Sequence, residues 1–138
     1  MRYYLDTNIW RDFLEARVDN LRPLGEFAFQ FLKRAIACKH TILYSDLVLE
    51  ELKSDYTAQE IELYCFESLD EVKLLEKAPI TSQQVEEAGR IARERHIPRG
   101  DALHCILSRD NNAVVVTRDN HFESLTDIVK SKRPEEVT

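Results

Sequence analysis

Residues 113–117 read Ala-Val-Val-Val-Thr, an unbroken run dominated by β-branched side chains. Strands with one wet face alternate apolar and polar residues, whereas a strand covered on both faces can be apolar throughout. The run therefore asks for a parallel sheet with helices packed on each side. Parallel strands cannot be joined by tight hairpins, so the rest of the chain must supply helical crossovers.

The remaining sequence meets that demand. Arg2-Tyr3-Tyr4-Leu5 is a β-prone run halted by Asp6-Thr7-Asn8, residues that end strands and cap helices. From about Pro23 to Lys39, Phe27, Phe31, Leu32, Ala35 and Ile36 recur at helical spacing, with Pro23 where a first turn tolerates it. Thr41-Ile42-Leu43-Tyr44 predicts a second strand, and Ser45 or Asp46 can cap a helix carrying Leu47, Val48, Leu49 and Leu52. Another helix is expected over 57–68, and Val72, Leu74 and Leu75 give a weak strand pattern within Glu71–Lys77.

Thr81 and Gln84 have capping-box spacing, and Ile80 and Val85 stand at hydrophobic-staple positions. Val85, Ala88, Gly89 and Ala92 trace one face of that helix, which should end near His96, before Pro98. Asp101 to Arg109 reads as a short helix through Ala102, Leu103, Ile106 and Leu107. Short strands alternating with helices point to an α/β fold with right-handed crossovers. At 138 residues the chain can bury one core, and no linker or repeat divides it, so 1–138 is expected to be one domain.

Composition narrows the function classes. No apolar run approaches the roughly eighteen residues of a membrane span, and Asp6, Asn8, Arg11 and Asp12 break any signal-peptide core, so a cytoplasmic location is expected. Cys38, Cys65 and Cys105 are odd in number and lack a CxxC or CxxH pattern. They read as small buried hydrophobes. Nineteen Lys and Arg against 25 Asp and Glu give a formal charge of -6, which argues against unspecific polyanion binding by bulk charge. Nucleic acid is still admissible if cations bound by clustered acids offset that charge locally.

Ligands of open α/β sheets gather outside the carboxyl ends of the strands. Asp6 follows the first strand, and Asp119 follows the Val114–Thr117 strand by two residues. Taken singly, the acids have ordinary explanations. Asp6 and Asp119 can serve turns, Asp101 can cap the helix after Gly100, and Glu50 with Glu51 can form a solvated face. Taken together, Asp6, Glu51, Asp101 and Asp119 fall at element boundaries or first turns that a parallel sheet brings to one edge. Packed carboxylates repel one another and lose stability unless a cation neutralises them. An oxygen-rich cluster suits Mg2+ or Mn2+ better than zinc.

Leu5-Asp6-Thr7-Asn8, then Ser45-Asp46-Leu47-Val48-Leu49-Glu50-Glu51-Leu52, then Gly100-Asp101-Ala102-Leu103-His104 and finally Val116-Thr117-Arg118-Asp119 resemble, in order, the successive motifs of PIN domains, especially VapC-type toxins. The resemblance implies a PIN-like α/β fold, with a central parallel sheet of about four to five strands flanked by helices. It also implies an endoribonuclease that hydrolyses RNA phosphodiester bonds by in-line attack of water, assisted by one or two divalent ions. Asp6, Asp101 and Asp119 would hold Mg2+ (or Mn2+), with Glu51 completing the catalytic acids. The family glutamate precedes a leucine, which selects Glu51 over Glu50; on a helix the two point about 100° apart. Asn8 and Thr117 would fix the carboxylates from behind.

On the same resemblance the chain would be the toxin of a type II toxin–antitoxin pair, restrained by a small antitoxin and acting as a homodimer. His104 is assigned to packing or hydrogen bonding along its helix, and Trp10 to the core. Arg11, Arg93, Arg95, Arg99, Arg109 and Arg118 are the cations near the motifs, and none is assigned to RNA. A dehalogenase-type phosphotransferase would need a second Asp where Asn8 stands, and a receiver domain needs a mid-chain phosphoacceptor Asp beside a late Lys. A catalytically silent PIN-like module that binds RNA or protein, and an RNA-processing nuclease outside toxin–antitoxin systems, are the alternatives.

Overall fold

The computed structural model describes residues 1–15, 18, 19 and 22–137, with the backbone alone at 18, 19, 22 and 23. In chain order the elements are β1 (Arg2–Leu5), α1 (Thr7–Leu14), β2 (Val18–Asp19), β3 (Arg22–Pro23), α2 (Leu24–Ala37), β4 (Thr41–Tyr44), α3 (Asp46–Leu52) and α4 (Ala58–Ile61). A π-helical segment (Glu62–Phe66) joins α4 to α5 (Glu67–Glu71), followed by β5 (Leu75–Lys77), α6 (Ser82–Arg95), α7 (Arg99–Asp110) and β6 (Val114–Val116). A 3-10 turn (Asn120–Leu125), β7 (Ser131–Lys132) and a second 3-10 turn (Pro134–Glu136) complete the chain.

Five strands form one sheet in the order β5-β4-β1-β6-β7, every neighbouring pair parallel, as the β-branched run requires. β2 and β3 form a separate antiparallel pair. The first strand is the middle one: Tyr4 stands opposite Leu43 on one side and Val115 on the other. Its Tyr3, Tyr4 and Leu5 are buried. Because β1 is in register with both neighbours, the residues after Leu5, Tyr44 and Val116 emerge together at one edge.

Helices α6 and α7 pack on each other, as do α1 and α2. Trp10 is fully buried on α1, its ring edge-on to Phe66 with centroids 5.1 Å apart. A side chain of this size buried from water contributes about 2–3 kcal/mol.

Several local expectations are corrected. Helix α2 begins at Leu24, because Pro23 is paired with Val18 in the small ribbon. The helix expected over 57–68 starts at a capping box formed by Thr57 and Glu60 and runs to Glu71. Its π turn carries Cys65 and Phe66 side by side into the core. That extension, with Lys73 at φ 58°, leaves only Leu75–Lys77 for β5.

The Thr81–Gln84 capping box forms as expected. Val85, however, is exposed, and the buried face of α6 runs through Ala88, Gly89 and Ile91. Cys38 is exposed rather than buried, because it lies just past the last buried turn of α2; Cys65 and Cys105 are buried. The strand β7 and both 3-10 turns carried no sequence signal. Among the described residues, no helix is long and apolar enough to cross a membrane.

Candidate active site

Asp6 continues the sheet one residue past β1, its N–H bonded to the Val116 carbonyl at 3.0 Å. It occupies the N-cap position of α1 without using its side chain as a cap. The carboxylate, 4% exposed, is instead held by the Thr117 hydroxyl, which donates to Oδ2 at 2.8 Å. The same hydroxyl accepts the Asp119 N–H at 3.0 Å, so one small side chain ties the ends of β1 and β6 together. Asp101 sits in the first turn of α7, where the helix dipole favours an anion. Asp119 caps the following 3-10 turn, Oδ1 accepting the His121 N–H at 2.9 Å.

Among the described residues these three acids make no ion pair with Lys or Arg; the ionisable partner of Asp101 and Asp119 is His121. Burial raises the Asp6 carboxyl, more than contacts from His104, Thr117 and the Asn8 amide lower it. Burial, then the charges of Asp119 and Asp6, push Asp101 up to about 6, although a hydrogen bond from His121 opposes the rise. His121 Nδ1 lies 2.8 Å from Asp101 Oδ2 and 2.9 Å from Asp119 Oδ1. One ligand atom from each of Asp101, Asp119 and His121 lies within 4.8 Å of the others. The donor set fits a divalent cation: a carboxyl pushed up to about 6 by burial and then by its neighbours' charges is what a positive ion would relieve.

Glu51 stands at the same edge in opposite surroundings. Burial raises its carboxyl, but His104, Thr7 and Arg11 together outweigh burial and the net shift is downward. Ser45 caps α3, accepting the Val48 N–H at 3.5 Å, and lies 2.7 Å from the Tyr4 hydroxyl. That hydroxyl is 2.7 Å from His104 Nδ1, and His104 Nε2 is 2.9 Å from Glu51 Oε1. Thr7 Oγ1 donates to the same Oε1 at 3.2 Å. One direction of donation satisfies the whole chain: Ser45 to Tyr4, Tyr4 to His104 Nδ1, and His104 Nε2–H to Glu51.

Asp101 and Asp119 thus share His121, Asp6 is joined to Asp119 through Thr117, and of the two exposed glutamates it is Glu51 that turns to the site through Thr7 and His104. Asn8 is exposed, and it is its backbone amide that bears on Asp6. Buried His104 does pack and hydrogen-bond, but its ring bonds run across to Tyr4 and Glu51 rather than along α7. Four of the six arginines near the motifs are engaged: Arg11 with Asp55, Arg95 with Asp127, Arg109 with Glu87, and Arg118 with Glu135 and the Phe27 ring.

Sequence reasoning missed His121, Tyr4 and Ser45, and the cleft of about 220 Å³ that Lys132 and Arg133 line with Thr117, Arg118 and Asp119. His121 follows Asp119 by two residues, a spacing that could have drawn attention to it. Lys132 ends β7 and Arg133 caps the 3-10 turn after it, elements that had no pattern to find.

A model of the PIN domain family matches residues 3–128. No curated protein matches the sequence. Among solved structures, VapBC2 from Rickettsia felis bound to a DNA fragment from its promoter is 21% identical, with a TM-score of 0.67 over 96% of this chain and 98% of that one. FitAcB from Neisseria gonorrhoeae is 16% identical, with a TM-score of 0.61 over 98% and 99%. FitAB bound to an IR36 DNA fragment is 15% identical, with a TM-score of 0.63 over 99% and 97%. At these identities the likeness speaks to fold.

Proposed function

This chain belongs to the PIN domain family, and on that premise we propose that it is a metal-dependent endoribonuclease, the toxin of a type II toxin–antitoxin pair. The observation that carries the reading is the Thr117 bridge between Asp6 and Asp119, with Asp101 beside them raised to about 6 by burial and then by the charges of both. Asp6, Asp101 and Asp119 would hold Mg2+ or Mn2+. The ion, when bound, lowers the pKa of coordinated water and offsets charge on the scissile phosphate.

The chain's own groups have distinct tasks. Thr117, donating to Oδ2, fixes the Asp6 carboxylate that would hold the cation. Glu51 Oε1 is held by His104 and Thr7, so Oε2 is the oxygen that takes a proton from the attacking water. Lys132 and Arg133, in the cleft beside Asp119, would position the RNA backbone through its phosphates.

The fold shared with VapBC2 and FitAB supports the toxin reading, and a small antitoxin partner, a homodimeric state and a cytoplasmic location belong to the same proposal. The test is incubation of purified protein with a panel of labelled RNAs and Mg2+ or Mn2+. Cleavage that EDTA stops and Asp6→Asn lacks is expected. RNA binding without cleavage would favour the silent module, and cleavage without growth arrest or a neighbouring antitoxin reading frame would favour an RNA-processing enzyme.

A further inference from the structure

The side chain at 121 lies outside the four acidic motifs, yet its ring nitrogen stands between two of their carboxylates. His121 Nδ1 is 2.8 Å from Asp101 Oδ2 on α7 and 2.9 Å from Asp119 Oδ1 beyond β6. The backbone beneath the ring is pinned on every side. Its N–H is bonded to Asp119 at 2.9 Å, its carbonyl accepts the Ser124 hydroxyl at 2.8 Å, and the next residue, Phe122, is buried in the core. The ring is half-exposed while the two acids are 15% and 25% exposed, so the imidazole closes the outer side of the acid pair.

We propose that His121 is a nitrogen ligand of the metal centre, and that it makes the centre prefer Mn2+ over Mg2+. The inference rests on the metal-site reading given above. Mg2+ demands a near-ideal octahedron of oxygens, whereas imidazole suits first-row transition ions. A site of three carboxylates alone has little means of telling Mg2+ from Mn2+; one imidazole supplies it. Ligation through Nδ1 uses the tautomer with its hydrogen on Nε2, which faces away from the acids.

The experiment titrates the full-length protein with MnCl2 and with MgCl2 by calorimetry, and records electron spin-echo modulation of the Mn2+-loaded sample. Wild type is expected to bind Mn2+ more tightly than Mg2+ and to show nitrogen-14 modulation from a coordinated imidazole. His121→Gln should lose that modulation and about tenfold or more in Mn2+ affinity, with Mg2+ affinity changed by less than about twofold. Because the ring is on the surface, the variant should keep its circular dichroism spectrum, and Asp119→Asn serves as the variant that weakens both ions.

Two results would overturn the proposal: wild-type Mn2+ without nitrogen modulation, or a Mn2+ to Mg2+ affinity ratio that His121→Gln leaves unchanged. Failure of wild type to bind either ion would sink the underlying metal-site reading as well. Binding of both ions that depends on Asp119 but not on His121 would sink this inference alone.

Discussion

Asp101 and Glu51 face the same edge of one sheet, and their surroundings shift their protons in opposite directions. Asp101 meets Asp119 and Asp6 and is pushed up to about 6; Glu51 meets His104, Thr7 and Arg11 and is lowered in spite of burial. One half of the site has too much negative charge for its cations, and the other has donors enough to keep a single carboxylate ionised. The difference teaches that convergence of acids is not one property. On the proposed function the crowded half would call for an ion, while the supported half would supply a carboxylate that is ionised without one.

The largest effects should come from the crowded half. Asp6→Asn and Asp101→Asn are each expected to reduce metal-dependent RNA cleavage by on the order of 10³-fold in kcat/KM. Retention of more than about a tenth of the rate by either variant would break the division of roles.

Next come the groups behind Glu51. Tyr4→Phe keeps the ring and removes the hydroxyl that aligns His104, and His104→Asn removes the donor itself. Both should reduce kcat by about 10–100-fold while leaving metal affinity nearly unchanged. The sign of the pH effect follows from the downward shift of Glu51. Without His104 its carboxyl rises, so the acidic limb of the rate profile should move to higher pH. An unmoved limb would show that Glu51 is not the titrating base.

A smaller effect concerns stability without metal. A carboxyl raised when folded, from the ordinary 3.8 to about 6, binds its proton more tightly in the native state, so ionising it destabilises the fold above that range. In EDTA at pH 8, Asp101→Asn should therefore be more stable than wild type by about 1–3 kcal/mol in urea melts. The advantage should shrink as pH falls from above 6 towards 3.8, and disappear when Mn2+ is added to the wild type. A less stable variant at pH 8 would mean that the lost His121 contact outweighs the relieved repulsion. Smallest of all, Glu50→Gln should change activity by less than about twofold and stability within about 0.5 kcal/mol, because this side chain is on the solvent face of α3.

The fold was legible wherever a residue's neighbours are near in sequence or its burial is uniform. The Val114–Val116 strand, the capping box at Thr81 and the fully buried Trp10 are such cases. Regions that depend on distant packing were not legible. Strand β7 is only Ser131–Lys132, too short for any period, and exists because β6 offers it an edge. The π turn at Glu62–Phe66 is a tertiary adjustment that no spacing announces.

In the site, placement at element boundaries pointed to Asp6, Asp101, Asp119 and the Glu50–Glu51 pair, and the resemblance to PIN domains selected Glu51 and added Thr117. What the sequence could not carry was the relay behind Glu51. Tyr4 and His104 are one hundred positions apart, and each alone looks like an ordinary core residue. His121 was passed over for another reason: its role depends on where a 3-10 turn aims the ring.

The middle strand of the sheet precedes both of its neighbours in the sequence. Its neighbours begin at Thr41 and Val114, and the bond from Asp6 to Val116 joins the opening of the chain to nearly its last strand. Such distant closure is slow compared with helix formation and must wait for the late residues to be made. A chain that stops before Val114 therefore cannot unite Asp6 with Asp119, and any activity that needs the pair must wait for β6.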